Sequence, residues 1–323
     1  MYIGEQKKMN KIDFFEHDLP CTPIEKLSGE YGSNQIYVKR DDLLPFSFGG
    51  NKVRKAAEFY KDIQKEAADI VMTYGSNSSN HCRIIANMAA SMGLPCRIIS
   101  PSEDRTILYN TFLVEKFGAA IETCPINEVA QTIENRKEAY RKEGKIPYFI
   151  MGGGHGNVGT EAYVKTYREI IEQEKEQGFS FDYIFHASGT GATQAGLVCG
   201  QLLSRDTLHK IVGISIAREE NRGREVVRES IKDYLQEKYD KLYHEDVLVF
   251  DADYTCGGYG KYTDSVMKLI NQVMQREGIP MDTTYVGKAF WGMQEYLKAH
   301  MISDKKVLFI HTGGTPLYFD KLK

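Results

Sequence analysis

Short runs of consecutive apolar residues alternate along this chain with longer stretches in which apolar positions recur every three or four residues. The runs at 69–74, 96–100, 119–123, 147–151, 183–188, 211–216, 247–250 and 307–311, with an extended segment at 36–39, are predicted strands. The stretches at 80–92, 107–117, 127–143, 160–177, 193–203, 221–239, 262–276 and 287–299 are predicted helices, and one more opens with the stripe Val53, Ala56, Ala57, Tyr60, Ile63, Ala67. Strands that alternate with helices imply a mainly parallel α/β sheet covered by helices on both faces, because each parallel crossover needs a long connection that packs back on the sheet. Ligands of such folds bind at the carboxyl ends of the strands, where loops lead into helices.

Composition narrows the class. At 323 residues the chain exceeds what one small core supports, which predicts two domains or one large domain with a cap. A net charge of -3 argues against nucleic acid as a partner, since neutralising several phosphates calls for a basic excess. No apolar run reaches the length of a membrane span, and residues 1–11 are too polar for a signal peptide, so no membrane association and a cytoplasmic location are expected. Six cysteines, at 21, 82, 96, 124, 199 and 256, form no Cys-x-x-Cys pair and suggest neither a zinc site nor a disulfide framework.

Chemistry concentrates at the strand-to-helix junctions. Residues 46–55 read Phe-Ser-Phe-Gly-Gly-Asn-Lys-Val-Arg-Lys, which puts Lys52 in the first turn of a helix. There the positive end of the helix dipole and the like charges of Arg54 and Lys55 are expected to lower its pKa, and a neutral lysine is the nucleophile that a Schiff base with an aldehyde cofactor requires. The two preceding glycines would let a bulky group approach the backbone. A lysine on a solvated helix end is the alternative.

Three further loops accompany it. Tyr74-Gly-Ser-Asn-Ser-Ser-Asn-His-Cys-Arg83 supplies more hydrogen-bonding side chains than one helix cap needs, at a helix N-terminus suited to a substrate carboxylate. Ser188-Gly-Thr-Gly-Ala-Thr-Gln-Ala-Gly196 has two glycines placed for a phosphate nest, although helix packing is the plainer use for them. It is neither a Walker loop nor a dinucleotide fingerprint, because Gln194 occupies the third glycine position. His311-Thr-Gly-Gly-Thr-Pro316 ends the last predicted strand. The glycines of residues 151–157 serve either as a hinge or as a close-approach surface to substrate.

Together Val38-Lys-Arg-Asp-Asp42, Gly49-Gly-Asn-Lys-Val-Arg-Lys55, Ser79-Asn-His-Cys-Arg83, Ser188-Gly-Thr-Gly191, Tyr285-Val-Gly-Lys288 and His311-Thr-Gly-Gly314 resemble, in this order, the D-cysteine desulfhydrase and 1-aminocyclopropane-1-carboxylate deaminase family of pyridoxal-phosphate enzymes. The resemblance implies the two-domain tryptophan-synthase-β-like fold (fold type II), with a large cofactor domain formed by 1–52 and 160–323 and a small domain, 53–159, inserted in it. By the same resemblance pyridoxal 5'-phosphate is joined to Lys52, bonded at its phenolic oxygen by Asn80 and held at its phosphate by Ser188, Gly189, Thr190, Gly191, Ala192 and Thr193. Ser79, Asn80 and His81 would receive the carboxylate of a small amino-acid substrate, with Ser79, Tyr259 and Tyr285 in catalytic roles and the two tyrosines flanking the reacting carbon. A homodimer is implied as well.

Two departures bear on the reaction. Family members that open the cyclopropane ring carry a glutamate after the tyrosine of the Tyr285 motif, as partner of the pyridine nitrogen; here the residue is Val286, which leaves Thr312 as that partner. Ser78 stands where the family has a longer side chain such as glutamine. The expected activity is α,β-elimination from a small β-substituted amino acid, desulfhydrase-like, giving an α-keto acid and ammonia. A β-replacement synthase and a 1-aminocyclopropane-1-carboxylate deaminase are the alternatives within the cofactor class. Outside it stand a nicotinamide-dependent dehydrogenase, against which Gln194 counts, and a non-catalytic binding protein, which would leave Lys52 without a use.

Overall fold

The computed structural model describes residues 14–29, 31–102 and 107–322; the polar stretch 1–11 lies outside them. In chain order the elements are β1 (Ile24–Lys26), β2 (Gln35–Lys39), α1 (Asn51–Lys65), β3 (Ile70–Tyr74), α2 (Asn80–Met92), β4 (Cys96–Pro101), α3 (Tyr109–Lys116), β5 (Ala120–Cys124), α4 (Val129–Lys142), β6 (Pro147–Ile150) and α5 (Asn157–Gln177). There follow β7 (Tyr183–Ser188), α6 (Ala192–Ser204), β8 (Lys210–Ser215), α7 (Glu220–Leu235), α8 (Tyr239–Leu242), β9 (Val249–Asp251), α9 (Asp264–Glu277), α10 (Val286–Ala299), β10 (Lys306–Ile310) and α11 (Thr315–Phe319). They form a six-stranded sheet in the order β1-β2-β10-β7-β8-β9 and a four-stranded sheet in the order β5-β4-β3-β6. Every pairing is parallel except that of β1 with β2.

The apolar runs read as strands because both faces of the large sheet are covered. Val307 and Phe309 of β10 pack with Ile270, Phe290 and Met293 of α9 and α10, while the alternating Leu308 and Ile310 pack with Tyr163, Tyr167 and Leu197 of α5 and α6. Burying each such side chain contributes roughly 1.5–3 kcal/mol. Several elements differ from expectation, including α11, which no predicted stretch covers. The edge strand β1 is three residues long and too polar to register as a run. The stretch 221–239 is broken where Gln236 turns to φ 48, and β9 starts late because a 3-10 turn occupies Glu245–Val247.

Helix α1 is tied down at its base. Asp41 accepts hydrogen bonds from Arg54, Tyr163 and Thr22, and Glu169 of α5 accepts from Arg54 and Lys39. Burial alone would raise the pKa of Glu169, but Arg54 and Lys39 outweigh it and hold the carboxyl down at about 2. Arg54 itself is only 6% exposed, so removing it would leave the buried Asp41 without its cation, with Glu169 still paired to Lys39, and cost on the order of 3–5 kcal/mol.

Candidate active site

The carboxyl ends of both sheets open on one cleft of about 660 Å³. Its walls include Lys52, Ser79, Asn80, His81, Ser188, Gly189, Thr190, Gly191, Thr193, Tyr259, Tyr285 and Thr312, so residues from six separate loops and helix ends converge as the sequence predicts. Ala192 is the exception. Its side chain is fully buried, and only its amide, at the first position of α6, faces the loop. Asn51, His155, Arg218 and Arg222 also line the cleft. Asn51 and His155 lie in segments that stand out in the sequence without an assigned role for either residue, whereas Arg218 and Arg222 belong to no motif.

Lys52 enters from the first turn of α1. Its Nζ donates to the carbonyl of Gly153 at 3.0 Å, a carbonyl that also accepts from Lys55 Nζ at 3.1 Å. The Lys52 pKa is lowered to about 8, and the cause is burial. Like charge is not the cause: Arg54 is turned away to Asp41 and Glu169, and the hydrogen bond with Lys55 acts in the opposite direction. Burial and the neighbouring Lys52 push Lys55 well down, so both lysines tend to neutrality. No carboxylate pairs with Lys52 among the described residues.

Gly49 and Gly50 serve the backbone rather than a ligand. A Cβ on Gly49 would fall 2.1 Å from the Asp42 carbonyl oxygen and one on Gly50 2.7 Å from that of Thr312. Gly313, at φ +97, abuts Gly50 in the same way, with 2.6 Å to its Cα. Gly50 and Gly313 are therefore required because the backbones of the Lys52 and Thr312 loops touch, and Asn51 N–H donates to the Thr312 carbonyl at 3.0 Å. The glycine loop after β6 is likewise closely approached, by this chain's own side chains: Gly153, at φ +71, lies against the Thr190 side chain and Gly154 against Lys55.

The loop before α6 is a backbone nest. Gly191 has φ +97, which L side chains rarely adopt, and it aims the first amides of α6 at the cleft. Asn51 Nδ2 donates to Thr193 Oγ1 at 3.1 Å, which leaves the Thr193 hydroxyl proton for an anion. Ser188 lines the cleft without offering its hydroxyl proton. That group donates to Gln194 Oε1 at 2.9 Å, and Gln194 Nε2 continues to the Val249 carbonyl. Gln194 thus fills the space beside Gly213 under the loop. Helix packing falls to other glycines, Gly196 against Tyr163 and Gly200 against Tyr167.

The loop before α2 is built from side chains. Ser79 caps the helix by accepting from Cys82 N–H at 3.2 Å, and its hydroxyl proton remains for a ligand. With Cys82 and Arg83 N–H engaged by Ser79, the amides of Asn80 and His81 are the first-turn donors left for an anion. The His81 side chain does not bind a carboxylate. The Thr73 hydroxyl gives its one proton to the Ile150 carbonyl, so His81 Nε2–H must donate to Thr73 Oγ1, and the buried Nδ1 is an acceptor without a partner. Burial, together with Lys52 and Lys55, keeps this imidazole neutral.

Across the cleft the hydroxyls of Tyr259 and Tyr285 are hydrogen-bonded, and Ser78 Oγ lies 3.0 Å from the Tyr259 hydroxyl. Burial, reinforced by Tyr259, raises the Tyr285 pKa well above its ordinary value, so Tyr285 stays a proton donor. Two buried residues place the pair. Lys288 Nζ donates to the carbonyls of Ile216, Thr255 and Gly258 at 2.8–2.9 Å, fixing the Tyr259 loop, while Asp282 accepts the Tyr285 amide at 2.8 Å. Val286 is fully buried in the core of the large sheet and does not line the cleft, whereas Thr312 does.

A buried, carboxylate-free amine facing a phosphate nest, an anion-binding helix end and a tyrosine pair defines an enzyme that uses a phosphorylated aldehyde cofactor, and the residues present fit that group. The family model described as pyridoxal-phosphate dependent enzyme matches residues 12–313, and the chain belongs to this family. A protein of Pyrococcus abyssi provisionally named a 1-aminocyclopropane-1-carboxylate deaminase is 34% identical over 317 residues, 96% of this chain and 93% of its own. A D-cysteine desulfhydrase of Serratia proteamaculans is 32% identical over 313 residues, 93% of each chain. The crystal structure of an ACC deaminase homologue superposes with a TM-score of 0.83 at 33% identity, covering 93% of this chain and 92% of that one. The protein is thus a pyridoxal-phosphate dependent enzyme of the tryptophan-synthase-β-like fold. No helix among the described residues is long and apolar enough to cross a membrane.

Proposed function

We propose that the enzyme catalyses α,β-elimination from a small β-substituted amino acid, in the manner of a D-cysteine desulfhydrase, with Lys52 as the cofactor-bearing lysine. The observation that carries this reading is the opening of the Lys52 amine and the Tyr259–Tyr285 pair on one cleft between two anion-binding helix ends. When bound, the cofactor accepts the electrons released as the substrate's α-carbon loses its proton. The nest of Gly189 to Thr193 holds its phosphate, and Asn80 meets its phenolic oxygen. The amides of Asn80 and His81 and the Ser79 hydroxyl hold the substrate carboxylate. Lys52 Nζ takes the α-proton, the bond from Cβ to the leaving group breaks with the electron pair on the leaving atom, and the tyrosine pair returns a proton to it. Water then converts the enamine product to an α-keto acid and ammonia.

Thr312, a neutral hydroxyl, is the ring-nitrogen partner in this reading, which favours elimination over ring opening. The relative named a 1-aminocyclopropane-1-carboxylate deaminase supports the second reading. A panel of D- and L-amino acids with thiol, chloro and sulfonate groups at Cβ, run beside 1-aminocyclopropane-1-carboxylate and scored for keto acid, separates them. Release of sulfide and keto acid from a β-thiol substrate, with negligible ring opening, is expected. Ring opening as fast as the best elimination returns the deaminase reading to first place.

We also propose the division into 1–52 with 160–323 and 53–159, supported by the four-stranded sheet, whose strands all fall between residues 70 and 150. A cytoplasmic homodimer completes the proposal and rests on the family resemblance. Light scattering at twice the chain mass checks the assembly.

A further inference from the structure

We propose that Arg83 and Asn110 are positioning residues of this cleft: they lock the Asn80 carboxamide with Nδ2 toward the cofactor and set a guanidinium charge directly behind it. The hydrogen bonds leave one arrangement. The Ser78 carbonyl only accepts, so the atom 2.9 Å from it is Asn110 Nδ2, which also donates to Asn80 Oδ1 at 3.0 Å. Asn110 Oδ1 then faces Arg83 Nη1 at 2.9 Å, and the second Nη1 proton reaches Asn80 Oδ1 at 2.8 Å. With two donors on Oδ1, the amide of Asn80 cannot turn over. Its Nδ2 is the atom left for a ligand, on a residue that lines the cleft.

The charge is unusual. Arg83 is fully buried, its Nε and Nη2 have no hydrogen-bond partner, and no carboxylate pairs with it among the described residues. Only the ring of Phe48, 5.9 Å away, faces the guanidinium. Burial lowers the Arg83 pKa to about 9, which still leaves it protonated at neutral pH. A buried cation without a counter-ion is costly unless a negative group approaches it, and polarising the Asn80 amide extends its influence to the cleft. The group it suits is an anionic oxygen in front of Asn80 Nδ2. On the reading proposed above, that is the phenolic oxygen of the cofactor.

Such an arrangement acts on a measurable proton. Loss of the proton shared between the lysine–cofactor link and the phenolic oxygen leaves the oxygen's charge uncompensated, and a strong donor there favours the loss. In the reconstituted enzyme, Arg83→Met is therefore expected to raise the pH midpoint of the cofactor absorption band by about one pH unit and to weaken cofactor binding about tenfold. Arg83→Lys, which keeps the charge, is expected to recover part of the midpoint. Asn110→Asp conserves size but turns an acceptor toward Asn80 Oδ1 and neutralises Arg83, so its midpoint is also expected to rise; it decides the matter if Arg83→Met does not fold. A titration that superimposes on the parent's, from either variant in folded and loaded form, overturns the inference. A parent protein whose band persists in Lys52→Ala overturns the assignment of the cleft instead.

Discussion

Two helix ends face each other across the cleft, and they bind anions by different means. The α6 end is a nest of main-chain amides whose side chains are largely turned away: Ser188 points to Gln194, Ala192 is buried, and Thr190 packs on Gly153. At the α2 end side chains dominate, and two of them are held by partners distant in the chain. Asn80 is held by Asn110, thirty residues on, and Ser78 meets Tyr259, 181 residues away. A nest tolerates any chemistry that leaves its backbone alone, whereas the α2 end depends on atoms that many substitutions would disturb.

Lys52 serves both ends, so its loss is the largest effect expected. Lys52→Ala should abolish turnover and the band of the lysine-bound cofactor while the fold survives, since the fixed points of α1 are Arg54 and the glycines. Absorbance and a melting curve check this. The same lysine gives a pH test. Because burial holds its pKa near 8 instead of 10.5, the neutral amine accumulates as pH rises through about 8, and the rate at which apoprotein takes up pyridoxal phosphate should climb over that range. A climb centred near 10.5 would mean an exposed, ordinary lysine.

Gly191→Asp comes next, and it attacks the nest. It forces an aspartate into φ +97, brings a Cβ within 3.1 Å of Val226, and sets a carboxylate where the phosphate belongs. Cofactor affinity should fall by orders of magnitude in equilibrium dialysis. Near-parental retention by a folded variant would place the phosphate elsewhere.

The same contrast governs what the sequence reveals. The α6 loop was legible because its requirement is local: glycine at a strand-to-helix junction has few uses, and Gly191 has the positive φ that its position implies. Lys52 was legible as a helix-start lysine, yet the cause of its lowered pKa was not, since burial depends on the whole cleft. The family resemblance implies that His81 receives the substrate carboxylate; its side chain answers instead to Thr73, itself bonded to the Ile150 carbonyl, contacts made only once β3, β6 and α2 are assembled. Arg83 stands in the Ser79 to Arg83 motif, but nothing local shows that its charge is buried behind Asn80, and Asn110 carries no local signal at all. Gly50 and Gly313 offer one that emerges only when the two loops are taken together as backbones in contact.

Ser79→Ala probes the α2 end with a smaller perturbation. The lost cap costs about 1 kcal/mol of stability, and the lost hydroxyl should raise KM for the amino acid. Cofactor affinity should hold within a few-fold, because the phosphate belongs to α6. If cofactor affinity fell as far as in Gly191→Asp, the two ends would not be separable.

The smallest effect is expected within the nest itself, from Gly189→Ala. Gly189 has no positive φ, and an added methyl would meet only two carbons of Ile216 at 3.6 Å, an ordinary contact. Its carbonyl, which accepts from Arg218 Nε at 2.8 Å, is unaffected by a side chain on the same residue. A methyl at an unstrained position reduces the freedom of the unfolded chain, a gain of about 0.4–1 kcal/mol, so stability should be unchanged or slightly higher and cofactor affinity within a few-fold of the parent. Binding measurements on Gly189→Ala and Gly191→Ala, side by side, then weigh backbone conformation against bulk. Equal losses at the two positions would mean that the loop tolerates no side chain for want of space, and the left-handed conformation of Gly191 would lose its special standing.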